Sequence, residues 1–189
     1  LCRAIGGHQH VDEHRLGPTR AVSTGAIGDP QMMRAMVVAF AIACGFGIHL
    51  TAVAGWPIAL LGAASIASGV AYTGGPYPLG YHGLGDVFVL GFFGFAAVAG
   101  TAYVQLGHVP TVAWIASVPI GALATVILAV NNLRDAPTDR RVNKRTIAVR
   151  FGVGVAKAEI VTLLVAAYGG ALALWLSGAA TFGWLPCLT

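Results

Sequence analysis

The chain has 189 residues, 57% hydrophobic and 10% charged, with a formal net charge of +4 and a mean hydropathy of +0.77. A soluble domain carries about 25% charged residues, so most of this surface does not face water. Long apolar runs stand where a transmembrane β-barrel would show alternating strands of about ten residues, which leaves an all-α, polytopic transmembrane helical bundle in a lipid bilayer.

Glycine, at 26 residues, exceeds the usual share of roughly 7%. It suits helices that approach closely where no hydrophobic force draws them together. The three cysteines, Cys2, Cys44 and Cys187, are far apart and form no CxxC or Cys/His ligand spacing, so they read as buried small hydrophobes. No nucleic-acid partner is expected.

In chain order, residues 1–29 come first, polar and His-rich (His8, His10, His14), with turn formers at Gly17-Pro18 and Gly28-Asp29-Pro30. They read as a loop with solvated histidines, because their irregular spacing does not match a metal site. Apolar runs long enough for membrane helices then predict helices near 31–54, 56–72, 86–106, 110–131 and 155–177, five complete spans with a stub after Phe182. Pro30, Pro57 and Pro110 stand at helix entries, where a missing N–H costs nothing.

Four of the eleven Lys/Arg lie at or before Arg34, six lie between Arg134 and Arg150, and the last is Lys157. None occurs from Ala35 to Leu133. Four helices separate the two basic segments, so both return to one side, the cytoplasmic one by the positive-inside rule. The loop from Thr73 to Gly85 falls on that side too. A single membrane domain thus covers 1–189, with cytoplasmic segments at 1–29 and 131–154.

Within the second basic segment, Asp135 and Asp139 stand four residues apart among Arg134, Arg140, Arg141, Lys144, Arg145 and Arg150. On a helix this spacing puts both carboxylates on one face, where they repel unless a cation lies between them. Mg²⁺ takes one or two protein carboxylates and completes its octahedron with water and phosphate oxygens. Arg and Lys then suit the remaining phosphate charge. Pro137 disrupts a regular helix here, so either one helix ends near Arg134 and another begins around Pro137, or the helix kinks. From composition alone, a basic loop that merely sets topology, with two acids for solubility, is an equally good reading.

The string NNLRDAPTDRRVNKRTIAVRFG (Asn131 to Gly152) closely resembles the second aspartate-rich motif of the UbiA superfamily, and within it the 1,4-dihydroxy-2-naphthoate polyprenyltransferases of the MenA type. AYTGGPYPLGYHGLGD (Ala71 to Asp86) resembles the loop between the fourth and fifth helices of that family. HRLGPTRAVSTGAI (His14 to Ile27) is similar to the stretch after the family's first aspartate-rich motif.

The resemblance implies nine transmembrane helices around a central cavity, of which this chain would hold about the third to the seventh. It implies Mg²⁺-dependent transfer of a polyprenyl group from polyprenyl diphosphate to 1,4-dihydroxy-2-naphthoate, which loses its carboxylate to give a menaquinone precursor. The location implied is a bacterial or archaeal inner membrane, with the site on its cytoplasmic side. Carried over by position, Asp135 and Asp139 would bind Mg²⁺, with Lys144 and Arg145 near the diphosphate and Asn131 and Asn132 shaping the site. Tyr72 and Asp86 would line the acceptor side. Tyr72 reads equally as an interfacial aromatic, Asp86 as an acid favouring a helix N-terminus, and His82 as incidental.

One departure stands out. The family's first motif, NDxxDxxxG, should precede LGPTR, yet the expected positions hold Leu1, Cys2 and Ile5, and Asp12 and Glu13 sit too close to the Gly-Pro turn. Truncation at both ends is the expected cause, with little activity for these 189 residues alone. Two competitors remain: a superfamily member using another acceptor such as 4-hydroxybenzoate or homogentisate, and a non-enzymatic membrane protein. The second should carry ionisable groups along a path through the bilayer. Between Ala35 and Leu133 only His49, His82, Asp86 and His108 qualify besides cysteine and tyrosine, all near predicted helix ends.

Overall fold

A computed structural model describes Gly25, residues 27–74 and residues 78–178. The His-rich start, the acids Asp12 and Glu13, the cysteines Cys2 and Cys187 and the stub after Phe182 lie outside these described residues.

Each predicted apolar run is a helix: α1 Asp29–Ala54, α2 Trp56–Thr73, α3 Gly85–Leu106, α4 Thr111–Arg134 and, after two short helices, α7 Val153–Leu176. The short ones are α5 Ala136–Arg141 and α6 Ile147–Phe151. Among the described residues there is no strand. By length and composition α1, α3, α4 and α7 suffice to cross a membrane, and α2 is a shorter apolar helix. At 18 residues and 1.5 Å per residue, α2 covers about 27 Å of the roughly 30 Å hydrocarbon layer.

Two details differ from the predicted elements. Helix α4 runs to Arg134 rather than 131, so Asn131 and Asn132 belong to its last turn; Asp135 then leaves the helix at φ −88°, ψ 3°, two residues before Pro137. Of the two alternatives at that proline, the structure takes the break, and α5 begins at Ala136 with Pro137 in its first turn. Helix α3 is also irregular, because Leu90–Ala96 widens into a π-helical stretch. Such bulges recur at functional sites, and this one lies just beyond Asp86.

Helix α4 is the centre of the bundle, packed against α3 on one side and α7 on the other. Its buried positions include Ala113, Ser117, Gly121, Thr125 and Ala129, one small residue per turn. That spacing makes a smooth stripe along which backbones can approach. The closest approach joins Gly94 to Gly121: a Cβ on Gly94 would stand 2.8 Å from Gly121 Cα and 2.7 Å from the Ser117 carbonyl oxygen. On the other side, the Pro119 ring occupies the space beside Gly170, where a Cβ would meet Pro119 Cδ at 2.9 Å. Buried hydroxyls are satisfied within the helix, Ser117 Oγ donating to Ala113 O and Thr125 Oγ1 to Gly121 O, each at 2.8 Å.

Large apolar side chains point the other way. Ile48 is 72% exposed, Val165 and Ile127 67%. In water a surface of this kind would aggregate; against lipid tails it is matched. Small residues inside and large ones outside is the packing expected of a membrane bundle.

Candidate functional site

Polar residues gather at one end of the bundle, where the segment before α3 meets the segment after α4. Hydrogen bonds join the two: the Arg145 backbone N–H donates to Tyr81 O at 2.7 Å, and Arg150 Nη1 donates to His82 O at 3.4 Å. The Thr73–Gly85 loop and the basic segment therefore share a side, as the helix count predicts. A 3-10 turn at Leu79–Tyr81 shapes the loop, and His82 Nδ1 donates to Pro78 O across it at 2.9 Å. His82 thus helps close the loop, a local contact that gives it no part in the chemistry.

Gly83 is the tightest point of this junction. It has a φ of +75°, and a Cβ there would lie 2.6 Å from the Arg145 carbonyl oxygen. Gly83→Ala adds left-handed strain of about 1–2 kcal/mol to that clash. The expected result is a lower melting temperature for the protein in detergent micelles. Gly154→Ala serves as the control, since a Cβ at Gly154 meets nothing within 4 Å.

The basic segment folds back on itself through a turn at Asn143, which adopts φ 56°. Asn visits this left-handed region more readily than most side chains. The turn directs the Lys144 N–H to Asp139 O at 2.9 Å and its ammonium to Asp139 Oδ2 at 2.8 Å and Asn132 Oδ1 at 3.5 Å. Asp139 and Asn132 are buried. One residue past α4, Asp135 takes both oxygens of its carboxylate to Arg134, at 2.7 and 2.9 Å.

The two aspartates are thus one turn apart, linked by the Asp139 N–H donating to Asp135 O at 2.8 Å, and each is held by its own cation. Asn131 supports this turn through its carbonyl, which accepts the Asp135 N–H at 2.9 Å. The Arg145 side chain is exposed and, among the described residues, reaches Asn143 Oδ1 at 3.4 Å. Its firm contact is the backbone one to Tyr81.

Tyr72 and Asp86 complete the cluster. The Tyr72 ring lies over Gly80, where a Cβ would meet Cε1 at 3.0 Å, and its hydroxyl lies against Gly85, where a Cβ would meet it at 2.9 Å. That hydroxyl therefore sits at the start of α3, next to Asp86, and within reach of the charges of both Asp86 and Asp139. Asp86 in turn feels the Lys144 ammonium. It occupies the first turn of α3, as an acid favourable to the helix dipole would, but it is also buried.

Of the residues singled out in the sequence, the structure brings together Tyr72, Asp86, Asn132, Asp139 and Lys144. Asp135 sits at their edge with Arg134, and Arg145 turns outward.

One residue joins them that the sequence reading passed over, and a second is buried close by in the chain. Glu159 of α7 lies within electrostatic reach of Asp86. Thr146, at the start of α6, is buried with no hydrogen-bond partner for its hydroxyl oxygen among the described residues. For Glu159 a signal existed: it is the single acid in the apolar run of α7, and an ionisable group in such a run is a functional candidate by default.

Among the described residues no group of three or more His, Cys, Asp or Glu converges to hold a metal ion. The donor set does fit Mg²⁺, which usually takes one or two protein carboxylates and draws its other oxygens from water and phosphate.

The UbiA prenyltransferase family profile matches residues 9–189. The chain belongs to the UbiA prenyltransferase family. Members similar to it include proteins named 1,4-dihydroxy-2-naphthoate octaprenyltransferase from three organisms. The one from Escherichia coli (strain K12) is 38% identical over 155 residues, 79% of this chain and 50% of the relative. That from Mycobacterium leprae (strain TN) is 38% identical over 160 residues, 85% and 54% respectively. The Mycobacterium tuberculosis protein (strain ATCC 25618 / H37Rv) is 41% identical over 147 residues, 77% and 50%. The chain thus spans about half the length of these family members. No solved structure matches it.

Proposed function

We propose that the protein transfers a polyprenyl group from polyprenyl diphosphate to 1,4-dihydroxy-2-naphthoate, using Mg²⁺ at Asp135 and Asp139 on the cytoplasmic side of a bacterial or archaeal inner membrane. The observation that carries this reading is the pairing at the end of α4. Two carboxylates one turn apart are each neutralised by an adjacent cation, Arg134 for Asp135 and Lys144 for Asp139. Such pairs are poised to exchange partners when a diphosphate arrives with its divalent ion. The carboxylates would turn to Mg²⁺, while the freed guanidinium and ammonium turn to phosphate oxygens. Each carboxylate keeps a cation beside it before and after binding, so the exchange strands no unpaired ion at the membrane edge. The names and identities of the family relatives support the choice of substrates.

When bound, Mg²⁺ would supply charge that stabilises the departing diphosphate. The chain's own residues do the rest. Lys144, anchored by Asp139 and Asn132, is already within the site, and the exposed Arg140, Arg141 and Arg145 add positive potential around it. Asp86 and Tyr72 stand in the same cluster as Lys144 and Asp139, and the acceptor ring would dock beside them. The apolar helices hold the isoprenoid tail and exclude water from the allylic cation. The chain spans about half the length of its relatives, so assays use the full-length protein.

The test is transfer of labelled polyprenyl diphosphate by membranes containing the full-length protein, offered 1,4-dihydroxy-2-naphthoate, 4-hydroxybenzoate and homogentisate in parallel. Prenylated naphthoquinol as the main product is expected. A product from either of the other acceptors alone would move the protein elsewhere in the superfamily, and no product from any would end the transferase reading.

A further inference from the structure

We propose that Asp86 is the acceptor-binding carboxylate: its Oδ1 receives a hydrogen bond from a ring hydroxyl of a hydroxyarene and so selects acceptors that carry one. This rests on the transferase reading above and names a contact within that site. Asp86 is 6% exposed, and its Oδ1 has no hydrogen-bond partner among the described residues. A buried carboxylate oxygen left unpaired is costly, and such atoms in folded proteins call for an explanation.

The surroundings of Asp86 say what kind of ligand answers it. A carboxylate only accepts hydrogen bonds, so the missing partner is a donor. Lys144 is within reach of Asp86 electrostatically but spends its short contacts on Asp139 and Asn132. The charge on Asp139 nearby is negative, so the ring hydroxyl that meets Asp86 is one turned away from the acceptor's own carboxylate. A neutral hydroxyl so placed supplies the donor. The aromatic ring of Tyr72, its hydroxyl beside Gly85 at the start of the same helix, brings an apolar surface to this end of the cluster.

The experiment is a double cycle between protein and substrate. Full-length wild type, Asp86→Ala and Asp86→Asn are assayed in membranes with 1,4-dihydroxy-2-naphthoate and with each of its two monomethyl ethers. In wild type, kcat/KM for the free diol should exceed that for one of the ethers by about 10-fold or more, the scale of a hydrogen bond to a charged group. Asp86→Ala should erase that preference to within about 2-fold, with the KM for polyprenyl diphosphate unchanged. Asp86→Asn keeps the side-chain volume, and its neutral carbonyl accepts more weakly, so the preference should shrink there too, even if the alanine variant fails to fold. A preference unchanged in either folded variant, or a loss expressed in the donor KM, overturns the assignment. Absence of transfer to any hydroxyarene by wild type overturns the transferase reading and this one with it.

Discussion

Replacing Asp139 with alanine is expected to lower prenyl transfer by the full-length protein about 100- to 1,000-fold, the usual scale for losing one preorganised charge-stabilising group. Asp139 has two tasks, and they can be separated. It fixes the Lys144 ammonium at 2.8 Å, and in the proposed reaction it becomes a ligand of Mg²⁺. Asp139→Asn retains an oxygen for Lys144 but lacks the charge that a hard cation requires. If the ion-binding task dominates, the asparagine variant should fall nearly as far as the alanine one. If only the lysine anchor matters, it should stay near wild type. Asp135→Ala should also abolish transfer, since Asp135 is paired with Arg134 and its loss removes the second carboxylate. Initial rates at saturating Mg²⁺, with protein levels matched by immunoblot, read these differences. Near-normal rates in both alanine variants would remove Asp135 and Asp139 from the site.

The largest effect on stability is expected at the crossing of α3 and α4. A Cβ on Gly121 would stand 2.9 Å from both Gly94 Cα and the Leu90 carbonyl oxygen, and both are backbone atoms that cannot swing away. Gly121→Leu therefore forces the helices apart, and overpacking of this kind costs about 3 kcal/mol. The damage also travels to the site. Helix α4 carries Asn132, and α3 carries Asp86, so a shift between them separates the two halves of the cluster. The variant should unfold at lower temperature in micelles and lose activity together. By contrast, Gly91→Ala on α3, where a Cβ meets nothing within 4 Å, should leave both unchanged.

The helices were legible because apolar runs of membrane length have few alternatives: a bilayer leaves no water to satisfy irregular backbone. That the Thr73–Gly85 loop and the basic segment share a side was legible from the number of helices between them. The motif residues could be named through family resemblance, but their pairing could not. Pro137 interrupts the helical spacing of Asp135 and Asp139, and where each carboxylate turns depends on the break at Asp135 and the left-handed turn at Asn143. The meeting of Tyr72 and Asp86 with Lys144 was still less visible. It depends on hydrogen bonds between Tyr81 and Arg145 and between His82 and Arg150, partners more than sixty residues apart that no local pattern relates. Glu159 lies outside the motif segment and no spacing ties it to Asp86, although an acid in an otherwise apolar helix was the signal available.

The most direct measurement is the binding of a non-reactive polyprenyl diphosphate analogue to the purified full-length protein in nanodiscs, titrated with and without Mg²⁺, for wild type and Asp139→Asn. Exchange of partners at Asp135 and Asp139 predicts tight binding by wild type that weakens about 10-fold or more when EDTA removes the ion, the range seen when one strong ionic contact is lost. It also predicts that Asp139→Asn binds weakly whether or not Mg²⁺ is present. Equal affinity with and without Mg²⁺, or an Asp139→Asn variant that still gains affinity from the ion as wild type does, would contradict the site built here.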